Sequence, residues 1–186
     1  MKDALLLIDL QAGFFTSETL KLARKNLVES SNKLIAAARD NRVPVFLITT
    51  EHSRDRSTWT LNMLDDDQGY LFHNDPSAEL VEGLDTQGVT RVEKTRDSAW
   101  FGTDLDLRIR NLDVDRVVVA GVSTHGCIAQ TVRDAYARNI RTAIATDAIA
   151  DDRERYQDIM LEQLVDDRQT QLHAVDEVIQ MWESDH

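Results

Sequence analysis

The chain holds one cysteine, Cys127, so it has no internal disulfide and fits a reducing compartment. Two prolines and seven glycines in 186 residues are too few for a linker or low-complexity tract, and no internal repeat is visible. No apolar run approaches the ~18 residues a membrane helix needs. The first apolar run, residues 4–8, is short, ends at Asp9 and lacks a small-residue cleavage site. It reads as a buried strand of a cytosolic protein, with neither signal peptide nor membrane partner. Lysine is scarce, 5 residues against 16 arginines, and 33 acidic residues outweigh 21 basic ones to give a net charge of −12. That balance, without any Lys/Arg cluster, speaks against a nucleic-acid partner, because phosphate binding needs a basic surface. A well-solvated acidic surface is the simple account; a host with high internal salt is the sharper one. Glycine-rich phosphate loops are absent: only Gly13 follows the first strand, which argues against a dinucleotide. The lack of a G-x-S-x-G elbow argues against a serine hydrolase.

With 42% hydrophobic residues, the sequence is expected to form a single domain over 1–186 with a real core. Six apolar segments read as strands: residues 4–9, 44–49, 90–93, 116–121, 141–146 and, more weakly, 170–174. Most are continuous β-branched or leucine runs, as in parallel strands buried on both faces. Helical patterns lie between and after them at 20–41, 103–111, 126–138, 153–166 and 175–183. The alternation implies right-handed βαβ crossovers and a parallel sheet. Ligands of such sheets bind at the carboxyl ends of the strands. Residues 52–76 form the longest irregular stretch, and a loop that long is usually functional or mobile.

Three strand-end residues fit one mechanism. Asp9 ends the first strand as a partly desolvated carboxylate suited to act as a base. Lys94 follows the third strand, where an ammonium could support a thiolate. Cys127 follows the fourth, at the turn into a helix whose N–H groups and dipole favour thiolate. Each has a plainer reading: Asp9 as a turn cap, Lys94 as a surface lysine, Cys127 as a small core residue. Three adjacent strand ends would bring base, cation and nucleophile together.

Three blocks then resemble the isochorismatase-like, or cysteine, hydrolases. The first is Leu7-Ile8-Asp9-Leu10-Gln11-Ala12-Gly13-Phe14-Phe15. The second runs from Lys94 through Ser98-Ala99-Trp100-Phe101-Gly102-Thr103-Asp104-Leu105. The third is Gly121-Val122-Ser123-Thr124-His125-Gly126-Cys127, continuing into Thr131, Asp134-Ala135 and Asp147-Ala148-Ile149-Ala150. The third block looks nearest to the carbamoylsarcosine amidase branch, from which His125 departs. The resemblance implies a three-layer Rossmann-like α/β fold with a six-stranded parallel sheet and helices on both faces. It also implies a catalytic triad of Asp9, Lys94 and Cys127. A non-proline cis peptide between Val122 and Ser123 would aim the Ser123 N–H into the site, where it and the Cys127 N–H form an oxyanion hole.

The activity so implied is cofactor-independent hydrolysis of a C–N bond in a small amide or ureido substrate. Alternatives are hydrolysis of an isochorismate-like vinyl ether, with Asp9 as proton donor, and a non-catalytic binding protein of the same fold. Gln11, Phe14, Trp59, Trp100, Val122 and Thr124 are the expected substrate-binding residues; core packing and backbone capping are the competing roles. Nicotinamidases of the family bind zinc through an Asp-x-His motif and a later His. Here Thr50 stands at the aspartate position and only His52 remains, so no metal is expected. His52 and His73 could together hold one, but read as solvated polar residues on a loop. A homo-oligomer, dimer or tetramer, is implied because family members commonly pair near the active site.

Overall fold

The computed structural model describes residues 1–184. The single domain expected over 1–186 therefore ends on two residues outside those described. Six strands build one sheet: β1 (Asp3–Ile8), β2 (Val45–Thr50), β3 (Thr90–Lys94), β4 (Arg116–Val122), β5 (Arg141–Ala150) and β6 (Gln171–His173). Their order is β3-β2-β1-β4-β5-β6, and every neighbouring pair is parallel. Among the described residues six α-helices connect and flank them: α1 (Glu18–Asp40), α2 (Leu61–Asp65), α3 (Leu105–Asn111), α4 (Ala129–Ala137), α5 (Glu154–Asp166) and α6 (Val175–Ser184). Ser17 caps α1 by accepting a hydrogen bond from the Leu20 N–H at 3.2 Å.

The leucine run of β1 is uninterrupted because both faces of the sheet are covered. Leu5 and Leu7 enter one core with Leu27, Leu34 and Ile35 of α1 and Val178 and Trp182 of α6. Ala4, Leu6 and Ile8 enter the other with Ile109 of α3, Val132 of α4 and Leu164 of α5. Successive strand residues thus point to opposite layers, and each buried leucine contributes roughly 1.5–3 kcal/mol. The chain winds outward in opposite directions from β1 and β4, which makes their shared carboxyl end the crevice of this sheet. Gly121 lets them meet there. Its φ is 117°, and a Cβ at this position would lie 2.0 Å from the Ile8 carbonyl oxygen.

Three segments differ from the sequence reading. β5 continues past 146 to Ala150, because Thr146 and Asp147 are polar for a local reason. The ladder shifts register opposite Val119 and Gly121, Thr146 donates to the His173 carbonyl, and Asp147 accepts from the Val175 N–H. The helix expected from 126 starts instead as a π-type turn, Thr124–Ile128, before α4 takes over. Residues 52–76 are not irregular throughout. They contain α2 and a parallel bridge between His52 and Phe72.

Candidate active site

Four side chains converge at the crevice. Asp9 is the first residue beyond β1; its φ of 55° is left-handed, and its N–H donates to the Ile48 carbonyl at 2.9 Å. Thr50 and Lys94 end β2 and β3 and face one another in register. Cys127 lies in the π-type turn after β4. All are buried, and the Lys94 and Asp9 side chains are fully inaccessible.

The Lys94 Nζ donates to Asp9 Oδ2 at 2.8 Å, to Thr50 Oγ1 at 2.6 Å and to Cys127 Sγ at 3.4 Å. Three contacts exhaust the three protons of an ammonium. Thr50 in turn donates to Asp9 Oδ1 at 2.8 Å. The strand ends that meet here are not adjacent, as the sequence reading had them: β2 lies between β1 and β3. The Thr50 hydroxyl spans that gap and makes Thr50 a site residue that motif reading passed over.

The electrostatics of the cluster depart from the expected resting thiolate. Burial pushes the Cys127 thiol well above its ordinary value, the Asp9 negative charge pushes the same way, and Lys94 only partly offsets them. Burial and Asp9 thus favour the protonated thiol, which hydrogen-bonds Asp9. Burial also works against the Lys94 charge. The Asp9 carboxylate and the sulfur outweigh it, and Lys94 titrates above the ordinary lysine value. The site holds one ion pair and one thiol proton.

The turn bearing Cys127 is clamped by Asp151, just past β5. Its buried carboxylate accepts from the His125 N–H at 2.7 Å, the Arg153 N–H at 2.9 Å and the Ser123 hydroxyl at 3.1 Å. His125 Nδ1 lies 2.6 Å from the same Oδ2. Burial opposes the charge on Asp151, but these donors prevail and hold its carboxyl below the usual range. Asp151 follows directly on the Ala150 that closes the third sequence block. The Val122–Ser123 peptide bond is cis.

The remaining expected site residues fall into separate places. Gln11 is fully buried. Its amide donates to the Thr50 and Ala78 carbonyls at 2.9 and 3.0 Å and accepts from the Thr50 N–H at 2.8 Å. Its side chain braces the end of β2, and its contact with Asp9 is through the backbone, the Gln11 N–H donating to the Asp9 carbonyl at 2.8 Å. The single hydroxyl proton of Thr124 faces Gln157 Oε1 at 3.0 Å and the Ala150 carbonyl at 3.3 Å, the latter being the backbone-satisfying role weighed against a substrate contact. Trp100 is buried in the α3–α5 core, with its indole N–H on the Thr131 carbonyl at 2.9 Å. Phe14 packs against the α1–α6 core. Trp59 is buried in the 52–76 segment, donating to the Ser53 carbonyl at 2.9 Å. Val122 is fully buried at the end of β4. Tyr70, half-exposed, lies in the field of the triad. Burial is the main cause that raises its phenol pKa. It belongs to residues 52–76, the longest irregular stretch of the sequence.

The zinc-binding pattern of the nicotinamidases does not fit these residues. The Thr50 hydroxyl is committed to Lys94 and Asp9, and His52 Nδ1 is turned to the Thr58 carbonyl at 2.9 Å. His73 turns instead to Glu93 at 2.9 Å. Glu51, His73 and Glu93 place three ligand-type atoms within 4.8 Å of one another, but Arg91 is already paired with Glu51.

A parallel sheet with an acid, an amine and a thiol gathered at its switch point defines a hydrolase of the cysteine type. The Isochorismatase domain matches residues 3–177, and the chain belongs to that family. A probable inactive nicotinamidase of Arabidopsis thaliana is 32% identical over 156 residues, covering 79% of this chain and 80% of that protein. An N-carbamoylsarcosine amidase of an Arthrobacter species is 29% identical over 138 residues, 68% of this chain and 50% of that one. The crystal structure of a cysteine hydrolase from Pseudomonas syringae superposes with a TM-score of 0.89 at 26% identity. It covers all of this chain and 94% of the other.

Proposed function

We propose that the chain hydrolyses the C–N bond of a small amide or ureido compound, with Cys127 as nucleophile, Asp9 as proton carrier and Lys94 as their common cation. The observation that carries this reading is the single buried ammonium in contact with both the carboxylate and the sulfur. Because the thiol rests neutral, deprotonation accompanies attack. As Sγ bonds to the carbonyl carbon, its proton passes to Asp9, and Lys94 steadies the charge on sulfur. The Ser123 and Cys127 N–H groups are assigned to the tetrahedral oxyanion, each such donor contributing roughly 3–4 kcal/mol. Asp9 then gives its proton to the departing nitrogen, the C–N bond breaks and ammonia or an amine leaves. Water adds to the thioester, losing a proton to Asp9, and the Sγ–C bond breaks as that proton returns to sulfur. One carboxylate serves both halves.

The named amidase relative supports an amide substrate, as does the thiol, which vinyl-ether chemistry would not need. The test is ammonia release from a panel of small amides and ureido compounds. Cys127→Ala is expected to abolish turnover with unfolding unchanged, and Asp9→Asn to be nearly as damaging. Full activity in either variant removes the mechanism. A vinyl-ether reading draws on the neutral resting thiol; it requires that Asp9→Asn be dead and Cys127→Ala active.

A further inference from the structure

The last ladder pair of β4 and β5 is Val122 with Ala150, so Ser123 and Asp151 are the next residues along the two strands. Ser123 is anchored on two sides. Its hydroxyl donates to Asp151 Oδ2 at 3.1 Å, and its carbonyl accepts from the Gly126 and Ile128 N–H groups, both at 3.2 Å. Its N–H makes no hydrogen bond among the described residues. The same Oδ2 takes the His125 N–H at 2.7 Å, which fixes the peptide plane two residues before Cys127. Oδ1 accepts from the Arg153 N–H at 2.9 Å and lies 2.8 Å from the His125 Nδ1. Donors thus face both oxygens, which suits a carboxylate and not an amide. None of these bonds reaches Asp9, Lys94 or the Cys127 sulfur.

We propose that Asp151 is a positioning residue for hydrolysis: by holding the Ser123 hydroxyl and the His125 N–H, it fixes the aim of the unbonded Ser123 N–H at the oxyanion. This role presupposes the proposed reaction, with Cys127 as nucleophile and the Ser123 N–H as an oxyanion donor. Such a donor stabilises charge that develops only during attack, and it does so without reorganisation when its direction is already set. Asp151 touches no reacting atom. Its influence passes through Ser123 and the turn.

The test compares two reactions of the one sulfur in the full chain. 4-Nitrophenyl acetate gives its acetyl group to Cys127 through a tetrahedral oxyanion: the Sγ–C bond forms, the C–O bond to nitrophenolate breaks, and the thiol proton passes to Asp9. Iodoacetamide alkylates Sγ with loss of iodide and forms no oxyanion. Asp151→Asn is expected to slow the nitrophenolate burst about tenfold or more, short of the ~100–1,000-fold that follows outright loss of an oxyanion donor, while alkylation stays unchanged. Ser123→Ala keeps the N–H and removes one anchor; it should slow the burst by a smaller factor and also spare alkylation. It carries the test if Asp151→Asn does not fold. An undiminished burst in the variants, or equal slowing of burst and alkylation, overturns the proposal and leaves the nucleophile in place. An unmutated chain that is alkylated but gives no burst, or an equal burst from Cys127→Ala, removes the nucleophile and the proposal together.

Discussion

Replacing Thr50 by valine isolates the hydroxyl that joins three strand ends. The two side chains are nearly the same size, so no cavity opens. What is lost is one hydrogen bond from Lys94 Nζ at 2.6 Å and one to Asp9 Oδ1 at 2.8 Å. Hydrogen bonds to charged groups contribute roughly 1.5–3 kcal/mol each, and the two share an atom and will not add in full. The ammonium is left with a buried proton that has no acceptor, since its others are taken by Asp9 and Cys127. We expect Thr50→Val to lower unfolding free energy in urea by about 2–3 kcal/mol at unchanged m-value. With Lys94 and Asp9 freed to shift, kcat/KM on an amide substrate should fall about 100-fold, equivalent to ~2.7 kcal/mol. Thr50→Ser keeps the hydroxyl and should stay within about 1 kcal/mol of the unmutated chain. If valine proves as stable and active as threonine, or serine proves as damaging as valine, the bridging role is refuted.

Other perturbations separate charge from chemistry. Because the Asp9 charge helps hold the thiol protonated, Asp9→Asn should make Cys127 react with iodoacetamide at lower pH while turnover disappears; slower labelling would contradict that field. The folded-state thiol titrates above its ordinary value of 9.0, so below that pH both states keep the proton. Above it the unfolded chain releases a proton that the folded chain retains. Stability should therefore fall as pH rises past 9.0, at up to ~1.4 kcal/mol per pH unit per proton, and Cys127→Ala should remove the part of the slope due to sulfur in alkaline urea titrations. Lys94, raised above 10.5, adds a loss of the same sign at higher pH. Gly121→Ala would drive a Cβ to 2.0 Å from the Ile8 carbonyl and should cost about 3 kcal/mol or more, measured by thermal unfolding.

What could be read in the sequence was whatever depends on local pattern. Continuous apolar runs marked the parallel strands, because both sheet faces are covered, and the strand ends marked Asp9, Lys94 and Cys127. Strand order was not local, so the interposed β2 and its Thr50 stayed hidden. Threonine at a strand end has no distinguishing neighbours; its role exists only once register sets it opposite Lys94. Asp151 escaped for a related reason, since its four donors come from Ser123, His125 and Arg153, drawn together by the turn after β4. The expected thiolate character left two opposing effects out of account. Helix-end and lysine effects were counted, but the burial of Cys127 and its anionic neighbour are properties of the packed site.

The full occupancy of the Lys94 ammonium reaches beyond the triad itself. A cation whose every proton already has an internal acceptor has nothing to offer an incoming carbonyl. In the proposed reaction it would serve as a fixed countercharge and not as an electrophile. Recognition of the molecule to be cleaved is then left to peptide groups and the walls of the mouth. Under the proposed reaction, substrate preference would be open to change in the segment that carries Tyr70 without disturbing the group that balances charge.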